Sequence, residues 1–207
     1  GVDQAKKAKL KSGKELNLDL AIIGVGVTPN VDLAEESDIK VNDGILVNKQ
    51  LETNIDSIYA AGDVSEGYDM LKEAAGVIPI WPNAYKQGFV AGMNMAGANE
   101  RYNEGFARNS IDFFGLPMIT AGIIKPESDE YETIVSKSVE DNVYKKIVLK
   151  DSKIVGLIYL NDIDRVGILT GLIKEKKDIS EIKDRILEDD FGYIDFNQNQ
   201  RREKILK

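Results

Sequence analysis

Polar and apolar residues alternate between Lys6 and Asp19. Ala8-Lys9-Leu10 and Glu15-Leu16-Asn17-Leu18 flank the turn-forming string Lys11-Ser12-Gly13-Lys14, a pattern that predicts a hairpin. The alternation then stops. Leu18-Asp19-Leu20-Ala21-Ile22-Ile23 is nearly all apolar, as expected of a strand buried on both faces. A short helix is expected over Val31 to Ser37, opened by Asn30 or Asp32. Lys40 to Val47 reads as a second hairpin around Asp43-Gly44, the strongest short hairpin signal. Ile58-Tyr59-Ala60-Ala61 is a short β-type run that ends in Gly62-Asp63, and Tyr68 to Ala75 reads as irregular with partial helix.

The longest helix is expected from Pro82 to Ala96. Pro82 suits a first turn, where its missing N–H is no loss, and Gly97 is placed to end the helix. Ala84, Gly88, Gly92 and Ala96 recur every fourth residue and so share one face, which would let another backbone approach closely. The pattern changes again after Gly97. Ala98 to Gly105 is a polar linker, and from Asn109 short β-type runs follow: Ile111 to Ile124 (broken by Gly115 and Pro117), Glu130 to Ser136, Val143 to Leu149 and Ile154 to Leu160. Two helices are expected to close the chain. Val166, Leu169, Leu172 and Ile173 would form one behind an Asp162 or Asp164 cap. Ile179, Ile182, Ile186 and Leu187 would form the other behind Asp178, with Glu181 completing a capping box. The fold class is therefore α/β followed by α+β, with an antiparallel sheet and two helices in the second part.

Composition narrows the function. The 207 residues suit one large or two small domains, and 43% hydrophobic content is enough for a core. The net charge of -8 argues against non-specific nucleic-acid binding, which needs a basic face. Cysteine and histidine are both absent, which excludes disulfides, thiolate chemistry and imidazole general bases. No apolar stretch approaches the roughly 18 residues of a membrane span, and Gly1 to Lys7 has no signal-peptide core, so a cytoplasmic protein is expected. There is no initiator Met, and the opening reads as the middle of a structure, so a fragment is expected.

The chemistry centres on Gly62-Asp63. A buried strand ending in glycine and then a carboxylate is how an α/β sheet presents an acid to a ligand. Gly62 allows close approach, and ionised Asp63 is an acceptor suited to a sugar or ribitol hydroxyl. The N-terminus of the Pro82 helix offers free N–H groups and a partial positive charge. Gly24-Val25-Gly26-Val27-Thr28-Pro29 imitates a Gly-x-Gly-x-x-Gly fingerprint, but Pro29 replaces the third glycine and disfavours a phosphate-binding helix. Asp162 and Asp164 are expected to cap a helix rather than bind metal. Glu35-Glu36 and Glu188-Asp189-Asp190 read as solvated faces, and Phe113-Phe114 as core.

Thr53-Asn54-Ile55-Asp56-Ser57-Ile58-Tyr59-Ala60-Ala61-Gly62-Asp63 resembles the second FAD-contacting motif of the pyridine nucleotide–disulfide oxidoreductase superfamily. Trp81-Pro82-Asn83-Ala84-x-x-Gln87-Gly88 resembles the segment beside the flavin ring in its rubredoxin-reductase and NADH-oxidase branches. Val143 to Leu149, Gly156-Leu157-Ile158 and Asp164 to Ile173 resemble the C-terminal domain of nitrite-reductase and rubredoxin-reductase relatives. The resemblance implies cofactor-binding residues Gly62, Asp63, Trp81, Asn83 and Ala84, with FAD as cofactor and NAD(P)H as substrate; the residues themselves show no nucleophile–base arrangement, so no catalytic side chain and no metal ligand is assigned. It implies the end of an NAD(P)-binding domain at residues 1–24, the C-terminal segment of an FAD-binding domain at 25–105, and a C-terminal α+β domain at 106–207. Electrons would pass from NAD(P)H through FAD to an acceptor such as oxygen, rubredoxin or a disulfide, in a homodimer. No true dinucleotide fingerprint is present, so this chain alone is expected to be inactive. The alternative is a dimerisation or redox-partner docking module without its own cofactor.

Overall fold

A computed structural model describes residues 4–199 and Arg201. The first hairpin forms as the alternation predicts. Strands β1 (Lys7–Lys9) and β2 (Glu15–Asn17) pair antiparallel with Ala8 opposite Leu16. The apolar run that follows departs from expectation. Residues 18–31 form no strand, and Leu20, Ile22, Ile23, Val25 and Val27 are 76–88% exposed. A strand needs neighbours for its backbone groups, and the described residues supply none for this one.

Helix α1 (Asp32–Glu35) is a single turn, with the Asn30 side chain near the Asp32 N–H. Asp43-Gly44 makes a tight turn, but the hairpin is reduced to one bridge between Val41 and Ile45. Gly44 is required there, because a Cβ would stand 2.7 Å from the Val64 carbonyl oxygen. Strand β3 (Ile45–Leu46) runs parallel to β4 (Ser65–Asp69), which pairs antiparallel with β5 (Ala74–Val77). This hairpin replaces the partial helix expected over Tyr68 to Ala75. The Asp69 carboxylate accepts the N–H groups of Leu71 and Lys72, so it stabilises a turn where a helix would otherwise continue.

Helix α2 (Trp81–Met95) agrees with its sequence signals. Its end is a Schellman arrangement: Gly97 at φ +91°, its N–H on the Asn94 carbonyl, and the Ala98 N–H on the Met93 carbonyl. Asn83, Gln87, Val90, Ala91 and Asn94 form its buried face. Gly88, Gly92 and Ala96 lie on the exposed face, and among the described residues nothing outside the helix stands within 4 Å of a Cβ placed on Gly88 or Gly92.

The second half is a five-stranded antiparallel sheet in the order β6-β7-β10-β9-β8. The strands are β6 (Arg108–Asp112), β7 (Pro117–Gly122), β8 (Glu132–Ser138), β9 (Val143–Lys150) and β10 (Lys153–Leu160). Helix α3 (Val166–Lys174) packs on one face. The second expected helix is instead a set of turns with one 3-10 turn at Lys183–Arg185. Ile179, Ile182 and Ile186 are nevertheless buried, since tight turns can direct side chains inward as a helix would. The expected aspartate cap of α3 is absent as well. Arg165, in the left-handed region, precedes the helix, and Asp162 binds Lys145 instead.

The larger core cluster joins Ile147, Leu149, Leu157 and Tyr159 of the sheet to Leu169, Leu172 and Ile173 of α3 and to Ile186 and Phe191 beyond it. Met70 and Phe106, from the first half, belong to this cluster too. A smaller cluster holds Leu51, Val90, Ala91 and Tyr102. Phe113 and Phe114, expected in the core, are 65% and 95% exposed. They sit at the tip of the β6–β7 hairpin, where Phe114 and Gly115 both have positive φ.

Candidate functional site

The run expected to present the acid is held by a single bridge between Glu52 and Tyr59 rather than by a full strand. The Ala60 N–H on the Leu51 carbonyl and the Thr53 N–H on the Ile58 carbonyl hold it in place. Ala60 is buried and Asp63 is exposed, so the chain emerges from the core at Gly62. Gly62 has φ +88°, a conformation that disfavours any residue with a Cβ. The Ser65 N–H closes the turn on the Gly62 carbonyl.

Asp63, Trp81, Ala84 and Tyr85 line an open cavity of about 470 Å³, within the usual size range of small-molecule sites. The structure therefore brings together three of the sequence-predicted residues and adds Tyr85, which no local pattern singles out. Gly62 forms the turn behind Asp63, and a Cβ on it would stand 3.7 Å from that of Ala84. Asn83 points elsewhere. Its side chain is buried and its Nδ2 donates to the Phe106 carbonyl at 3.3 Å, which ties α2 to the start of the second half. Trp81 is 85% exposed on the cavity lip.

No side chain caps α2, and Pro82 removes one donor from its first turn. The cavity thus has a carboxylate on one wall and the positive end of a helix on the other. An uncharged polyhydroxylated ligand arm suits the carboxylate, and a group that gains negative charge suits the helix end.

Behind the cavity, the Gly62 N–H donates to Gln87 Oε1 at 2.7 Å, and Ser65 Oγ lies 3.0 Å from the same oxygen. Sequence reasoning missed Gln87 as a separate feature. Its one available signal is a long polar side chain on the face of α2 opposite the small-residue stripe. A larger cleft of about 810 Å³ lies between the β4–β5 hairpin and the end of β7, bordered by Leu71, Val77, Ile80, Ile124 and Tyr131. It contains none of the predicted site residues, and the groups suited to the chemistry above converge at Asp63 instead. Far from this site, Lys145 bonds Asp162 at 2.5 Å and Asp189 at 2.7 Å. Burial alone would lower the Lys145 pKa, and the two carboxylates outweigh it and raise it. Among the described residues, no helix is long and apolar enough to cross a membrane.

Comparison with known proteins defines the class. Residues 1–88 match the family described as Pyridine nucleotide-disulphide oxidoreductase, and residues 108–177 match the Rubredoxin NAD+ reductase C-terminal domain. Residues 1–88 thus carry part of a pyridine nucleotide-disulphide oxidoreductase, a family that uses FAD and NAD(P)H, and residues 108–177 a C-terminal domain of the rubredoxin-reductase type. Among relatives, Nitrite reductase [NAD(P)H] of Bacillus subtilis is 33% identical over 183 residues, 87% of this chain and 22% of that protein. NADH-rubredoxin oxidoreductase of Clostridium acetobutylicum is 32% identical over 170 residues, 82% of this chain and 42% of that protein. The crystal structure of NADH:rubredoxin oxidoreductase from the same organism superposes with a TM-score of 0.60 at 32% identity, covering 77% of this chain and 40% of that one. A NAD-dependent persulfide reductase from A. fulgidus, at 21% identity and a TM-score of 0.73, supports the fold alone; it covers 86% of this chain and 36% of its own. The chain spans less than half the length of these relatives.

Proposed function

We propose that this chain supplies one wall of the FAD site of an NAD(P)H-dependent flavoprotein oxidoreductase, in which electrons pass from NAD(P)H through FAD to an acceptor such as oxygen, rubredoxin or a disulfide. The observation that carries the reading is the cavity in which Asp63 faces the N-terminal turn of α2. Asp63 would accept hydrogen bonds from ribityl hydroxyls, and Gly62 would let the ligand backbone come close. Trp81 and Ala84 would flank the ring, and Asn83 would act from behind by holding α2 on Phe106. When bound, FAD supplies the hydride and electron chemistry, and the protein's part is to bind and orient it. The helix end would favour the negative charge that collects on the ring during reduction.

In the same reading, residues 1–24 close an NAD(P)-binding domain, residues 25–105 form the C-terminal segment of the FAD-binding domain, and residues 106–207 form a C-terminal α+β domain. A cytoplasmic homodimer that meets a redox partner protein completes it. The exposed apolar run from Leu20 to Val27 supports the first assignment, because a nucleotide domain would supply its missing strands.

Trp81, the only tryptophan, gives the test. FAD titrated into the chain is expected to quench its fluorescence with weak affinity, and Asp63→Ala is expected to abolish the quenching. Quenching unaffected by Asp63→Ala would refute the site. Sub-micromolar binding or NADH turnover by this chain would refute the expectation that it is inactive by itself.

A further inference from the structure

We propose that Gln87 is a positioning residue, a strut that fixes the Asp63 wall of the cavity against the N-terminal turn of α2. This rests on the flavin reading of the cavity only for its consequence, not for its geometry. Among the described residues, the hydrogen bonds joining the Gly62–Ser65 turn to α2 both end on one atom, Gln87 Oε1. They come from the Gly62 N–H at 2.7 Å and from Ser65 Oγ at 3.0 Å. The Gly62 bond is the constant one. The Ser65 hydroxyl has a single proton, and it also lies 2.9 Å from the Gly62 carbonyl oxygen, so it serves one acceptor at a time.

The amide orientation is also set. With Oε1 committed to the turn, Nε2 faces Gly67, where a Cβ would stand only 3.3 Å away. Gln87 is buried, and the neighbouring Tyr102 hydroxyl is buried with no hydrogen bond of its own. Burial pushes the Tyr102 pKa up to about 12. Among the described residues, Gln87 Oε1 is the acceptor that the Gly62 N–H uses. A buried donor left unpaired is unfavourable, so the turn would shift to find water, and Asp63 would shift with it.

Two near-isosteric substitutions separate an acceptor role from a packing role. Gln87→Met keeps the volume and removes the oxygen. Gln87→Glu keeps an acceptor and offers its second oxygen to the Tyr102 hydroxyl. In a 15N-labelled chain, Gln87→Met is expected to speed amide exchange at Gly62 about tenfold or more, with the amides of β9 and β10 unchanged. Gln87→Glu is expected to retain the protection. If Gln87→Met does not fold, Gln87→Asn provides the same test, because its amide is one methylene too short to reach Gly62. Unchanged Gly62 exchange in the oxygen-deleted or shortened variant would overturn the proposal. Equal acceleration in Gln87→Met and Gln87→Glu would overturn it as well, since packing alone would then explain the effect. FAD titration read on Trp81 is a separate arm, with affinity expected to fall about tenfold in Gln87→Met and to be kept in Gln87→Glu. Absence of quenching in the parent chain would count against the flavin reading, while Gly62 exchange still decides the strut.

Discussion

Gly156→Ala is a substitution the sheet should tolerate poorly. Gly156 sits opposite Gly122 between β10 and β7, beside an irregularity between Ile154 and Gly156. A Cβ at Gly156 would lie 1.9 Å from the Ile123 carbonyl oxygen and 2.5 Å from its carbon, both backbone atoms, where ordinary contacts begin at 3.4 Å. The strands must then part by roughly 1.5 Å to restore normal contact. That movement breaks the 2.9 Å bond from the Ile123 N–H to the Val155 carbonyl, worth about 0.5–1.5 kcal/mol. It also strains the packing of Ile154, Leu157 and Tyr159, all buried, and overpacking of this kind costs about 1–3 kcal/mol. Together these come to about 1.5–4.5 kcal/mol, a large share of a typical domain's stability. Urea unfolding followed by far-UV circular dichroism, with the slope checked for constancy, measures it. A loss under about 0.5 kcal/mol would show that the β7–β10 contact is not the constraint described.

Three further outcomes are expected. Replacing both Asp162 and Asp189 with Asn leaves the 6%-exposed Lys145 without a carboxylate, and should destabilise by about 1–3 kcal/mol in chemical denaturation, more than Lys145→Met does. The hydrogen bond and charge of Lys145 hold the Asp189 carboxyl below its ordinary 3.8; its contribution is therefore present above that pH and lost as pH falls through the lowered value, so the melting-temperature gap between the parent and the double Asn variant should narrow below about pH 4. Asn94→Ala removes two donated bonds, to the Gln50 and Glu100 carbonyls, and one accepted from the Glu100 N–H; a loss of about 1–3 kcal/mol is expected in urea unfolding.

Much of the fold was legible because local signals and tertiary demands agree. The Lys11–Lys14 turn, the Pro82 start and Gly97 end of α2, and the strands from β6 to β10 follow from residues that the structure uses in those roles. The failures share a cause. Tyr68 to Ala75 is rich in helix formers, but pairing between β4 and β5 outweighs propensity there. Leu18 to Ile23 has the composition of a buried strand, but burial depends on neighbours that its own sequence cannot supply. Asp162 looks like a cap and serves Lys145, a partner 17 positions away that no local pattern reveals. At the site, Gly62-Asp63 stood out from its chemistry. Gln87 did not, since a buried glutamine and an exposed one look alike until the turn it supports is in place.

The unequal division of the interior has a practical consequence. Both walls of the Asp63 cavity rest on the small cluster of Leu51, Val90, Ala91 and Tyr102, while the five-stranded sheet rests on one several times larger. On warming, the smaller unit should loosen first. A sample could then keep the spectrum of an intact β-sheet after its cofactor pocket has lost its shape, so a thermal melt followed at a single wavelength would overstate how long the pocket survives.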